Sequence, residues 1–298
     1  MAQASEWWAG ARPRTLPAAI APVAVGTGLA VGASAFKPER ALLALVVAVA
    51  LQIGVNYAND YSDGVRGTDN TRIGPVRLVG QGLARPAAVK RAAFACFAVA
   101  AIAGFVLVQL TGQWWLLVVG VASIAAAWLY TGGPRPYGYA GLGEVFVFIF
   151  FGIVPVLGTF YVQSLTITVT SVIAAVGVGA LPCAILVSNN LRDIPTDTIS
   201  DKRTLAVRLG DHHTRILYVV LIAIAMIMVV VLAFTATPWA LVALVSVPLV
   251  IAPMRAIRSG AVGPALIVVL KNTGLVLLVY GLGLGFGLGF GLGFGLGA

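Results

Sequence analysis

Apolar runs of about 18 or more residues recur along nearly the whole chain, and each can cross a hydrocarbon core as a helix. Charged residues make up only 10% of the sequence, against roughly 25% in a soluble domain. An all-α integral membrane protein is therefore expected. Runs bounded by charge or turn residues give nine candidate spans, near residues 16–35, 41–58, 88–110, 114–131, 142–162, 167–190, 214–234, 237–254 and 263–285. Residues 1–285 read as a single transmembrane domain. Residues 286–298 read as a low-complexity Gly/Leu/Phe tail, floppy and on the far side of the membrane.

The basic residues test the count. Nine spans put alternate connections on opposite sides, and 17 of the 19 Lys and Arg then share one side, leaving only Lys37 and Arg40 on the other. The positive-inside rule makes the rich side cytoplasmic, so the N-terminus and the even-numbered loops are expected there, in the cell membrane. The net charge of +9 is thus a topology signal. Nucleic-acid binding is excluded, because the basic residues lie in short segments between apolar spans. Ala33-Ser34-Ala35 imitates a signal-cleavage site, but the run before it is long and carries Pro17 and Pro22, so it reads as a retained span. Cys96 and Cys183 fall inside apolar spans and read as small buried hydrophobes. Lys271, a little inside the last span, either snorkels to the interface or faces a polar cavity.

Six of the ten acidic residues fall in two segments on the rich side. The first closes span two and contains Asn56, Asp60, Asp63 and Asp69, with Gly64 and Gly67 turning the chain. On a helix Asn56, Asp60 and Asp63 share a face. The second closes span six and contains Asn190, Asp193, Asp197 and Asp201 at helical spacing. Pro195 leaves two readings open: a kinked helix, or a break with a new helix starting at the proline. Crowded carboxylates repel one another. Both clusters begin inside the end of an apolar span, where ionisable groups are costly and usually functional. Oxygen ligands without His or Cys select Mg²⁺, which completes its shell with substrate phosphate oxygens. Two facing aspartate clusters with Mg²⁺ and a diphosphate between them follow, and a diphosphate substrate that also lives in a membrane is a polyprenyl diphosphate.

At these residues the sequence resembles the UbiA superfamily of intramembrane aromatic prenyltransferases, and within it the MenA branch, the 1,4-dihydroxy-2-naphthoate polyprenyltransferases of menaquinone synthesis. The Asp-rich motifs carry the resemblance as Asn56-x3-Asp60-x2-Asp63-x5-Asp69 and Asp193-x3-Asp197-x3-Asp201. Three further stretches match the branch: Ala11 to Pro17, Arg72 to Arg77, and Tyr130 to Glu144. The resemblance implies nine helices around a central cavity. Mg²⁺ and the diphosphate sit at its cytoplasmic mouth, and an apolar channel holds the isoprenoid. The acceptor, a dihydroxynaphthoate, loses its carboxylate as the chain is attached.

On this reading Asp60, Asp63, Asp193 and Asp197 are the expected metal ligands and catalytic residues, with Asn56 supporting and Asp69, Asn190 and Asp201 near the substrate. Lys202, Arg66 and Arg72 are candidates for the diphosphate, and Arg135 for the acceptor carboxylate or the diphosphate. Tyr130 and Tyr137 are candidates to face the allylic cation with their rings. Glu144 is expected to pair with Arg135 or to line the cavity, and His212 and His213 to be interfacial. No obligate protein partner is expected. The rivals are a 4-hydroxybenzoate or other aromatic-acceptor prenyltransferase and, from another class, a secondary transporter with an internal repeat and a midplane site.

Overall fold

A computed structural model describes residues 2–67 and 76–295. Asp69 and Arg72, both expected at the site, lie outside them. The described residues form helices α1 (Ala4–Gly10), α2 (Pro17–Gly32), α3 (Pro38–Arg66), α4 (Pro86–Thr111), α5 (Leu116–Leu129), α6 (Gly143–Phe148), α7 (Val154–Ser164), α8 (Val169–Ile199), α9 (Leu205–Thr235), α10 (Val247–Arg258) and α11 (Pro264–Gly293). A π-helical turn, Ile149–Ile153, joins α6 to α7, and a 3₁₀ stretch, Pro238–Ser246, leads into α10. All nine predicted stretches fall on helix. Among the described residues seven helical stretches are long and apolar enough to cross a membrane, or eight if α1 and α2, bent by 49°, count as one span. The remaining stretch, α5, is a shorter apolar helix of 14 residues. The protein is a multi-pass membrane protein.

The helix ends follow local rules. Proline occupies the first turn of α2, α3, α4 and α11, where its missing N–H is no loss. Gly67 and Gly112 stop α3 and α4 at φ 74° and 70°, a left-handed conformation that costs glycine little. Thr168 and Ser171 cap α8 reciprocally, each side chain accepting the other's amide at 3.1 and 3.0 Å.

Two helices outrun the apolar pattern. α3 continues to Arg66 and α8 to Ile199, each carrying an aspartate cluster on continuous helix. Their 29 and 31 residues span about 44–46 Å at 1.5 Å per residue, more than a core of about 30 Å. Pro195 neither breaks nor starts a helix. It sits inside α8 on the exposed side.

The main core lies between α2, α7, α8, α9 and α11 and includes Phe160, Tyr218 and Tyr280. Exposed Ile102, Val118, Val121, Phe234 and other large apolar side chains cover the outer surface, as lipid contact requires. The expectation of a floppy tail fails for residues 286–293, because α11 runs to Gly293. Its alternate glycines form two helical faces. Gly281 and Gly285 lie against Ala21 and Ala24 of α2, while Gly287 and Gly291 lie against Trp239 and Thr237. The chain thereby brings backbones together on both sides of one helix, as small residues allow in membranes. α2 is one wall of this sandwich. Lys271 is exposed on α11 and does not face the cavity.

Candidate active site

A cavity of about 460 Å³ runs between α2, α3, α4, α5, α7 and α8, within the size range of small-molecule sites. Its wall is polar at one end. On α3, Gln52, Asn56, Asn59 and Asp63 all line it, spaced four, three and four apart and hence on one helical face. On α8, Asn189, Asn190 and Asp197 face the same space. Leu107, Leu117, Val121, Phe150 and Val154 supply an apolar wall.

Among the described residues Asp63 and Asp197 are the members of the aspartate motifs that line the cavity, and both are buried, at 3% and 8% exposure. Asp63 Oδ1 accepts a hydrogen bond from the Tyr139 hydroxyl at 2.6 Å and lies 3.5 Å from Lys202 Nζ. Lys202 Nζ also sits 4.4 Å from the centre of the Tyr139 ring. Lys202 gets there by a chain reversal after α8. Asp201 adopts φ 53°, which Asp tolerates better than most residues, and the Lys202 amide then donates to the Asp197 carbonyl at 2.9 Å. The turn that brings Lys202 in sends Asp201 out: its side chain is 85% exposed and pairs with Arg203.

The first aspartate of each motif is turned elsewhere. Asp60 is fully buried, and its two oxygens accept the amides of Leu78 and Val79 at 2.7 and 3.0 Å. It holds the segment after the first motif against α3, with Leu78 buried beside it and Arg77 lining the cavity. Asp193 forms a two-pronged pair with Arg192 on its own helix, at 2.7 and 2.8 Å, and Arg192 also donates to Asn189. Replacing Asp60 with Ala leaves two amides, one buried and one half-buried, without their acceptor. We expect a loss of about 3 kcal/mol, since hydrogen bonds to charged groups contribute roughly 1.5–3 kcal/mol each. Thermal unfolding in detergent checks this, and Asp60→Asn, which keeps one carbonyl oxygen, is expected to lose less.

The remaining expected residues divide. Asn56 lines the cavity and donates to the Ala11 carbonyl and Thr15 Oγ1, both at 2.9 Å. Tyr130 and Tyr137 line it with ring centroids 5.5 Å apart, edge to face. The Tyr137 hydroxyl donates to the Ala126 carbonyl, and burial pushes the phenol above its usual pKa, so it stays protonated. Arg66 is exposed and bound to the carbonyls of Thr131 and Gly133, fastening the α5–α6 connection to α3. Arg135 is exposed and does not line the cavity. Glu144 does not pair with it; Glu144 accepts a hydrogen bond from Asn190 at 3.0 Å and joins α6 to α8. His212 and His213 are exposed near the start of α9.

Sequence reasoning passed over Arg12, Gln52, Asn59, Arg77 and Tyr139, all of which line the cavity. Gln52 and Asn59 carried a signal, a polar residue inside or ending an apolar span. Arg12 and Arg77 lay within stretches already marked as shared with the MenA branch. Tyr139 had no signal beyond its place in the third such stretch, since interfacial tyrosines are common.

Together these residues give an intramembrane cavity with a polar head and an apolar body. Residues 19–260 match the UbiA prenyltransferase family, and the chain belongs to that family. It is similar to 1,4-dihydroxy-2-naphthoate octaprenyltransferase of Mycobacterium tuberculosis, 57% identical over 282 residues that cover 95% of this chain and 96% of the relative. The enzyme of the same name from Mycobacterium leprae is 55% identical over 95% of each chain. The fold also superposes on a UbiA homologue from Archaeoglobus fulgidus bound to GPP and Mg²⁺, with a TM-score of 0.62 and 14% identity over 97% of this chain and 99% of that one.

Proposed function

We propose that the protein transfers a polyprenyl group from polyprenyl diphosphate to 1,4-dihydroxy-2-naphthoate, with loss of the acceptor carboxylate, giving demethylmenaquinol in menaquinone biosynthesis. The observation that carries this reading is identity above 50% across nearly the full chain to two relatives named for that acceptor. The cavity agrees with it: acids, amides and a lysine at one end, apolar walls along the rest.

The donor set fits Mg²⁺. Asp63, Asp197, Asn59 and Asn189 offer oxygen ligands, and no imidazole or thiol lines the cavity. Among the described residues no three acidic, His or Cys side chains are grouped closely enough to hold an ion alone. That suits an ion normally held by one or two carboxylates plus substrate phosphates. We assign Asp63 and Asp197 as principal ligands, assisted by Asn59, while Asp60 and Asp193 hold the walls in place. Held by these residues, Mg²⁺ would supply positive charge against the diphosphate as it leaves.

Lys202, held beside Asp63, offers its ammonium to the diphosphate. Arg12 and Arg77 supply further positive charge in the same cavity, for the diphosphate or for the acceptor carboxylate. Fixed cations at the leaving group stabilise the transition state more than the ground state. Tyr130 and Tyr137 offer ring faces to the allylic carbon as its C–O bond breaks. Leu107, Leu117 and their neighbours keep water from that carbon. The positive-inside pattern supports a cytoplasmic mouth.

The test is transfer of labelled polyprenyl diphosphate by the reconstituted protein to a panel of aromatic acids. Dihydroxynaphthoate is expected to be converted, and chelation by EDTA to abolish conversion until Mg²⁺ is restored. Conversion of 4-hydroxybenzoate but not dihydroxynaphthoate overturns the proposal.

A further inference from the structure

Gln52 lies deepest in the polar stripe of α3, eleven residues or about 16 Å from Asp63 along the helix. It is 4% exposed and lines the cavity among alanines, Leu51 and Val55. A carboxamide in such a place needs partners for both of its ends. Its Nε2 has one, donating to Thr15 Oγ1 at 3.0 Å. The amide cannot be reversed. The Thr15 hydroxyl spends its single proton on the Arg12 carbonyl at 2.8 Å, so toward Gln52 it only accepts. Gln52 Oε1 is thereby fixed as the other end, and it is closed to solvent with no hydrogen-bond partner. The Gln52 side chain lines the cavity, and the last torsion of a Gln side chain is broad, so a small rotation would present Oε1 to a ligand there.

An unpaired acceptor calls for a donor, and the substrates proposed above differ in this respect. A polyprenyl tail has no donor. A diphosphate near neutral pH chiefly accepts, and it belongs at the other end, beside Asp63 and Lys202. A dihydroxynaphthoate carries two hydroxyl donors. We infer that Gln52 binds a ring hydroxyl of the aromatic acceptor through Oε1, and so selects hydroxylated acceptors and sets the depth at which the ring lies. This rests on the proposed reaction. The side chain is a specificity residue held in orientation by Thr15, and Thr15 is in turn held by the turn that precedes α2.

The experiment compares binding of 1,4-dihydroxy-2-naphthoate with that of 2-naphthoate, which keeps the carboxylate and lacks both hydroxyls. It uses the full-length protein in nanodiscs under anaerobic conditions. The wild-type protein is expected to prefer the hydroxylated acid by about tenfold or more, the size of one good hydrogen bond to an otherwise unpaired buried group. In Gln52→Met, similar in length and without an amide, the preference falls to about threefold or less. Polyprenyl diphosphate affinity stays within about twofold in the variant, a split that a general loss of structure would not give. If Gln52→Met does not fold, Gln52→Asn, too short to reach, carries the same prediction. An unchanged preference in a folded Met or Asn variant overturns the inference. Failure of the wild-type protein to prenylate a bound dihydroxynaphthoate would instead strike at the proposed reaction, and binding reads the Gln52 effect separately.

Discussion

Replacing Asp63 with Asn is expected to lower prenyl transfer by at least about 10²–10³-fold, or roughly 3–4 kcal/mol of transition-state stabilisation, the scale seen when one preorganised charge-stabilising group is removed. The substitution is nearly isosteric, and the Tyr139 hydroxyl can still donate to the amide oxygen that stands where Oδ1 accepts it at 2.6 Å. What is lost is the negative charge that faces Asp197 across the cavity and that Lys202 approaches at 3.5 Å. Folding should therefore survive while activity does not. Thermal unfolding and single-turnover transfer on the same preparation separate the two. Equal losses in both would make Asp63 a structural residue.

The second large effect concerns the glycine sandwich. A Cβ on Gly28 would stand 2.0 Å from the Gly285 carbonyl oxygen, and one on Gly287 would stand 2.1 Å from that of Trp239. These neighbours are backbone atoms of packed helices, so no side-chain rotation relieves the overlap. Overpacked cores usually lose about 1–3 kcal/mol. Gly28→Val and Gly287→Val are expected to exceed that range and to abolish recovery of folded protein. Gly120→Ala, with nothing within 4 Å of the added atom, is the matched control. It should be neutral or gain up to about 1 kcal/mol from helix propensity. Size-exclusion profiles and melting temperatures in detergent check all three.

The membrane architecture was legible in the sequence because lipid imposes length and polarity on every span. Helical spacing puts polar residues on predictable faces, and Asp63 and Asp197 both line the cavity. The division of labour within each motif was not legible. Asp60 and Asp63 are equally acidic and three residues apart, and only the path of the segment at Leu78 and Val79 decides which carboxylate is consumed by backbone amides. Span ends were underestimated because hydropathy falls at residues 58 and 190 while the backbone hydrogen-bond ladder runs on to Arg66 and Ile199. The Gly-Leu-Gly-Phe repeat misled for a related reason. Glycine is a poor helix former in isolation, but tertiary packing outweighs propensity where two neighbouring backbones leave no room for a Cβ.

On the proposed function, α3 and α8 together form one metal-dependent diphosphate site. Binding of a non-hydrolysable prenyl thiodiphosphate to the protein in nanodiscs, titrated with Mg²⁺, tests it most directly, using Asp63→Asn, Asp197→Asn and the double variant. Each single variant is expected to lose the Mg²⁺-dependent part of the affinity, and the double variant to lose little more, because residues that act as one unit are not additive. Mg²⁺-dependent binding that survives in either single variant, or losses that simply add, would contradict it.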